Sequence, residues 1–228
     1  MARLARSIVL GYPHHVSQRG NGNRTVFEVG DDYRYYLDLI RECSQRYAVE
    51  IWAYCLMSNH VHFICVPRAE EALARTFNTV HMRYAQYFNG KRAVRGHLWL
   101  GRFLSCVLDD ASVHEEVRFI ETNPVRAGIV DLAEAYPWSS ARSHVAGESE
   151  PLLTGCFLQP IVPDWRAYLA IKGEEAVIRR VRERLRTGRP AGDISFVQRL
   201  EGILGRRLGA LPRGRPKKMT KDARICRQ

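Results

Sequence analysis

With 228 residues, 46% of them hydrophobic and 26% charged, the chain can bury one good-sized core, and this composition excludes a wholly disordered polymer. Thirty-five Lys and Arg against 24 Asp and Glu leave a formal charge of +11 and a pI near 9.7; such a field attracts polyanions, so nucleic acid is the expected partner and an anionic membrane surface the runner-up. No apolar run approaches the roughly 20 residues that span a bilayer, Met1 to Leu10 is too Arg-punctuated for a secretory leader, and six scattered cysteines without a Cys-x-x-Cys pair suggest neither a zinc ribbon nor a disulfide framework. A cytoplasmic, nucleoid-associated protein with no membrane partner is expected.

His14 to Gln18 reads as a strand closed by the turn-rich Arg19-Gly20-Asn21-Gly22-Asn23. Asp31 or Asp32 caps a helix to about Tyr47, with Tyr35, Tyr36, Leu39 and Ile40 at helical spacing. Two strands, Glu50 to Leu56 and Val61 to Val66, flank Met57-Ser58-Asn59-His60 and suit an antiparallel hairpin. A helix from Glu70 to Phe88, a strand from Phe103 to Leu108 and a helix from Ser112 to about Glu121, which Pro124 helps to end, complete the pattern. This order predicts an α+β fold with helices on one face of an antiparallel sheet.

The character changes after Val145-Ala146-Gly147, which divides the chain into a domain over 1–147, a basic helical extension over 148–204 and a basic tail over 205–228. Residues 174 to 190 carry a helical pattern with Arg179, Arg180, Arg182, Arg184 and Arg186, and Ile194 to Leu204 reads as another amphipathic helix. The last 24 residues hold nine Lys or Arg against one Asp. Within them Arg213-Gly214-Arg215-Pro216 is similar to the core of an AT-hook, an extended element that lies in a narrow minor groove; general phosphate attraction by Arg213, Arg215, Lys217 and Lys218 is the broader expectation.

His60-Val61-His62 stands at the entrance of a predicted strand, where period-two alternation sends both imidazoles to one face and Val61 to the other. Two histidines facing a core need partners, and one divalent ion satisfies both. They do not complete a hydrated hard-metal site. Asn123, just past the helix that begins at Ser112, offers an amide oxygen that suits Mg²⁺ or Mn²⁺ better than Zn²⁺, although Asn before Pro is also ordinary turn chemistry.

Five ordered blocks carry a resemblance. They are Gly11-Tyr12-Pro13-His14-His15-Val16 with Gln18-Arg19-Gly20-Asn21; Leu56 to His62; Gly96-His97-Leu98-Trp99 with Gly101-Arg102-Phe103; Arg118-Phe119-Ile120 with Asn123-Pro124-Val125-Arg126-Ala127-Gly128; and Tyr136-Pro137-Trp138-Ser139-Ser140. Over about residues 5 to 145 the sequence resembles the REP-associated tyrosine transposases, a branch of the HUH single-strand transposases. The resemblance implies a ferredoxin-like core, a Mg²⁺ or Mn²⁺ ion on His60, His62 and Asn123, and cleavage of single-stranded DNA beside a hairpin. It also implies a tyrosine nucleophile four residues before Asn123 that leaves a 5′-phosphotyrosine.

That position is Phe119, which has no hydroxyl. Three explanations stand: a lineage that kept binding and lost cleavage, an altered chain, or another nucleophile. Tyr84 and Tyr87 fit a core pattern and Tyr136 a loop, so the third is the weakest. Arg19, Arg24, Arg102, Arg118 and Arg126 flank the motif blocks as candidate phosphate ligands, with Trp99 and Phe103 as candidate base-stacking rings. The expected functions are therefore a metal-dependent transposase or endonuclease acting on single-stranded or hairpin DNA, or a non-cleaving hairpin-binding module on the same fold. An RNA-binding protein is a third class.

Overall fold

The computed structural model describes residues 6–155 and 158–209. Four strands, β1 His14–Arg19, β2 Val49–Met57, β3 His60–Pro67 and β4 Leu104–Val107, form one antiparallel sheet in the order β2-β3-β1-β4. Helices α1 Gly30–Arg46 and α2 Ala72–Lys91 connect β1 to β2 and β3 to β4, so the order is strand, helix, two strands, helix, strand. With that strand order the arrangement is ferredoxin-like, as expected.

Alternation assigns the two faces of the sheet. Val16, Ile51, Leu56, Val61, Phe63 and Cys65 meet Tyr36, Leu39 and Ile40 of α1 and Leu73, Phe77 and Val80 of α2. A fully buried Phe63 alone contributes about 1.5–3 kcal/mol relative to an exposed ring. The two connecting helices thus share one face. The opposite face is covered as well, because β2 and β3 read as nearly continuous apolar runs and are buried on both sides. There Ala53, Cys55, Ile64 and Cys106 meet Val113, Val117 and Ile120 of α3 (Asp110–Glu121), with Trp165 and Leu169 of α6 (Trp165–Ala170) and Val181 and Leu185 of α7 (Glu175–Thr187) in the same cluster.

Several helix starts differ from the sequence expectation. Asp31 and Asp32 lie inside α1 behind Val29 in the N-cap position; Asp32 accepts the backbone N–H groups of Glu28 and Val29 at 2.9 and 3.2 Å and so caps from the third helical residue. α2 starts two residues later than expected because Glu71 is left-handed at φ 56°. α3 starts two residues earlier, since Asp109 is the cap and accepts Ser112 N–H at 2.8 Å. Three short helices, α4 Asn123–Arg126, α5 Ala141–Ala146 and α6, are too brief to show a 3.6-residue period.

Buried polar groups dock the later elements. Glu121, fully buried at the end of α3, accepts from Ser140 Oγ at 2.5 Å, His144 Nδ1 at 2.6 Å and Trp165 Nε1 at 2.9 Å. A buried carboxylate is tolerable only with such donors. Phe196 and Leu200 of α8 (Ile194–Leu204) pack with Val9 and Val107 at the β4 edge, and Leu208 joins them, so residues 205–209 of the expected tail fold back onto the domain.

The loop after β1 is tied to the β2–β3 turn. Gly20 N–H donates to Asn59 O at 2.8 Å, while Val26 and Phe27 N–H donate to Ser58 O at 2.7 and 3.0 Å. Gly20 has no room for a side chain: a Cβ there lies inside the shell of the Arg24 carbonyl and 2.8 Å from Val26 Cγ1. Gly20→Ala is expected to destabilise the fold by about 1–3 kcal/mol, as an overpacked site does. Gly90→Ala, in α2 with open space around it, should be neutral or stabilise by up to about 1 kcal/mol. Urea unfolding midpoints of the two variants check this, and equal midpoints contradict it.

Candidate metal and nucleic-acid site

The pairing of β1 with β3 sets Ser17 opposite His62 and Arg19 opposite His60. Ser58 and Asn59 turn the chain between the paired Met57 and His60, so both histidines follow immediately from a tight turn. Their rings stand 5.0 Å apart at 89°, on the face that carries α3. Val61 points to the α1–α2 side. His60 is half-buried and shares a hydrogen bond of 2.5 Å between Nδ1 and Asn59 Oδ1; with the proton on Nδ1, the Nε2 lone pair faces Asn123.

Electrostatics keeps both rings neutral. Burial, then the cations of Arg19 and Arg126, push His60 down to about 4. Burial, then the neighbouring His15 and His60, hold His62 well below its usual value. At pH 7 both rings therefore carry lone pairs, the form that ligates a metal.

α3 and α4 supply the other wall. Phe119 is 7% exposed, and its ring lies 5.8 Å from that of His62. Asn123 opens α4 after Thr122, and its Nδ2 lies 3.1 Å from His60 Nε2. Arg126 stacks over the Phe119 ring at 4.2 Å and donates to Thr122 Oγ1 at 2.6 Å and Asn123 Oδ1 at 3.3 Å. Burial, then the nearby Arg182, lower its pKa to about 10, which still leaves it cationic at neutral pH. Behind His62, buried His15 places Nε2 at 2.8 Å from His62 Nδ1 and Nδ1 at 2.5 Å from Glu116 Oε2.

These walls enclose a cleft of about 410 Å³ lined by Ser17, Gln18, Arg19, His60, His62, Arg102, Phe119 and Asn123, together with Arg182 and Arg186 of α7. The expected residues are thus distributed unevenly. His60, His62, Asn123, Phe119, Arg19 and Arg102 converge, and Arg126 stands directly behind Phe119 and Asn123. Arg24 is turned to the His97 carbonyl at 3.3 Å, and Arg118 stacks on Tyr168 beside a second pocket of about 510 Å³ that Phe119 also borders. Arg213, Arg215, Lys217 and Lys218 lie outside the described residues.

Two aromatic expectations are corrected. Trp99 and Phe103 are core residues, 7% and 2% exposed; Trp99 donates Nε1–H to the His81 carbonyl at 3.0 Å and Phe103 packs on Phe77, so neither ring is open to a base. Neither Tyr84 nor Tyr136 offers a free hydroxyl: they donate to the Val26 carbonyl at 2.5 Å and the Leu56 carbonyl at 2.8 Å. Tyr87 donates to Asp32 at 3.0 Å. Ser17 is the hydroxyl side chain among the cleft residues.

Sequence reasoning missed His15, Glu116, Arg182 and Arg186 as site residues. His15 alternates with Ser17 along β1, and Glu116 precedes Phe119 and Asn123 at helical spacing, so period alone carried a signal for both. Nothing local tied the basic face of α7 to the histidines.

The donors fit a divalent cation. Among the described residues no three His, Cys, Asp or Glu side chains are grouped to hold a metal, so a third protein ligand beside the two histidines would have to be an amide or hydroxyl oxygen such as that of Asn123. Half a turn of its amide presents Oδ1 to the His60 Nε2 side in place of Nδ2 and gives up the 3.3 Å bond from Arg126.

Nothing among the curated proteins matches the chain. Among solved structures it is similar to a REP-associated tyrosine transposase bound to a REP hairpin, at 19% identity and a TM-score of 0.53 over 68% of this chain and 93% of that one. It also matches a putative transposase from Deinococcus radiodurans R1 at 14% identity and a TM-score of 0.38, over 53% of this chain and 97% of that one. The first likeness is one of fold. Residues 12–123, the span from just before β1 to Asn123, match the model of the IS200-like transposases, so over those residues the chain is similar to that family.

Proposed function

We propose that this chain binds hairpin-forming DNA with its single-stranded flank in the cleft between β3 and α3, holds Mg²⁺ or Mn²⁺ there, and does not form a phosphotyrosine. The observation that carries the reading is the convergence of His60, His62 and Asn123 with the apolar ring of Phe119 in one basic cleft. The solved relative of the same fold was captured on a REP hairpin, which supports a hairpin ligand here. Arg19, Arg102, Arg182 and Arg186 face the cleft from three parts of the chain and neutralise backbone phosphates.

His60, His62 and Asn123 would hold the metal, which would supply polarisation of a phosphate oxygen. The chain's own residues do the rest. Arg126 sits over the Phe119 ring and is held by Thr122 Oγ1, so a phosphate reaching this wall meets a cation that is already oriented. Phe119, 7% exposed, supplies a ring without a nucleophilic oxygen.

Phe119→Tyr adds one hydroxyl beside the cleft. A covalent protein–DNA adduct on a denaturing gel is expected from this variant with Mg²⁺ or Mn²⁺ and a labelled hairpin with a single-stranded flank. None is expected from the present chain; an adduct from it would point to Ser17 or another oxygen and overturn the reading.

The paired change of His60 and His62 to Ala should abolish Mn²⁺ uptake in calorimetry while circular dichroism stays unchanged, because an open site contributes less to folding than a closed one. Equal uptake by both proteins contradicts the ligand assignment.

Arg182→Ala with Arg186→Ala should weaken hairpin binding and lower its salt slope by about 0.7–0.9 for each phosphate that is no longer neutralised. Deleting residues 210–228, which spares the packed Leu208, should lower the slope further. A slope unmoved by both changes removes α7 and the tail from the interface.

A further inference from the structure

The cleft accounts for His60, His62 and Asn123 and leaves unexplained why a carboxylate is buried behind them. Glu116 is 0% exposed, in the apolar layer between α3 and the sheet. Its Oε2 meets His15 Nδ1 at 2.5 Å, and its Oε1 has no hydrogen-bond partner among the described residues. Burying a carboxylate costs several kcal/mol unless a partner offsets it, and the partner here is a neutral-capable ring, not an Arg or Lys. His15 is equally buried, and its second nitrogen meets His62 Nδ1 at 2.8 Å. Glu116, His15 and His62 therefore form an unbranched chain that runs from the core to the cleft.

We infer that Glu116 and His15 are positioning residues that hold His62 in the tautomer protonated on Nδ1, with its Nε2 lone pair open to the cleft. An ionised Glu116 only accepts, so His15 donates from Nδ1; a neutral His15 then accepts on Nε2, so His62 donates from Nδ1. The lone pair left over is on His62 Nε2. The opposite tautomer, with the hydrogen on His62 Nε2, would close that nitrogen to a cation and leave His62 Nδ1 and His15 Nε2 facing each other as two lone pairs. A metal on His62 selects the first arrangement, and the Glu116 charge, two hydrogen bonds away, offsets part of the metal's charge in a cleft otherwise walled by arginines. Outer-shell carboxylates that orient ligating histidines act in this way and change metal affinity by about 10–100-fold when removed. The inference rests on the proposed ligand role of His62, and the tautomer is measurable without any metal.

The test is a long-range ¹H–¹⁵N correlation spectrum of the metal-free full chain, with His62 assigned by comparison with His62→Gln, followed by Mn²⁺ calorimetry on the present chain, Glu116→Gln and His15→Gln. His62 should carry its proton on Nδ1 in the present chain. In folded Glu116→Gln, whose amide either accepts from or donates to His15, His62 should shift toward the Nε2-protonated form, and Mn²⁺ affinity should fall about 10–100-fold. A proton on His62 Nε2 in the present chain overturns the inference even if neither variant folds. So does a Glu116→Gln protein with unchanged tautomer and unchanged affinity. If the present chain shows the Nδ1 proton but takes up no Mn²⁺, the metal reading fails while the positioning chain stands.

Discussion

The register between β1 and β3 fixes nearly everything at the site. It puts Ser17 against His62 and Arg19 against His60, and it sends His15 to the same face one step further along. Because side chains alternate along a strand, a slip of one residue would turn all of these into the α1–α2 core and bring Val61 out. The register is pinned at its open end by the turn at Ser58 and Asn59, which receives three backbone N–H groups from Gly20, Val26 and Phe27. A loop with little regular structure thereby determines where two imidazoles stand.

Around that frame the charges are arranged in layers. The floor holds neutral rings, since burial keeps His60 and His62 unprotonated. The walls hold cations, Arg19, Arg102, Arg182 and Arg186, with Arg126 behind them. A metal ion entering such a cleft is repelled unless anions compensate, and a DNA phosphate is the anion these walls are suited to hold. In the proposed reading, metal and phosphate therefore assist each other. Phe119 stands at their meeting point, an apolar ring without an oxygen.

Much of this was legible in the residues. Alternation gave the strand pair and put His60 and His62 on one face; helical period put Phe119 and Asn123 near each other; turn residues marked the loop after β1. Other parts were not legible because their causes are tertiary. Trp99 and Phe103 look like exposed recognition rings in a Gly-rich segment, yet the aromatic layer of Tyr36, Tyr84 and His81 draws Trp99 inward, and Phe77 does the same for Phe103. Asp32 looks like a helix cap and is a buried anchor that also binds Lys91 at 2.8 Å. The α7 arginines read as a generic basic face, and only the packing of Val181 and Leu185 against the sheet side turns that face to the cleft.

The central claim, that metal and DNA share this one cleft, has a direct thermodynamic test. Mn²⁺ affinity is measured with and without a saturating hairpin carrying a single-stranded flank, and hairpin affinity with and without saturating Mn²⁺, at one ionic strength. Two ligands in one site must change each other's affinity by the same factor. The account predicts that each tightens the other by that common factor and that the effect vanishes when His60 and His62 are both replaced by Ala. Independent binding of metal and hairpin, with neither affinity moved by the other, would contradict it.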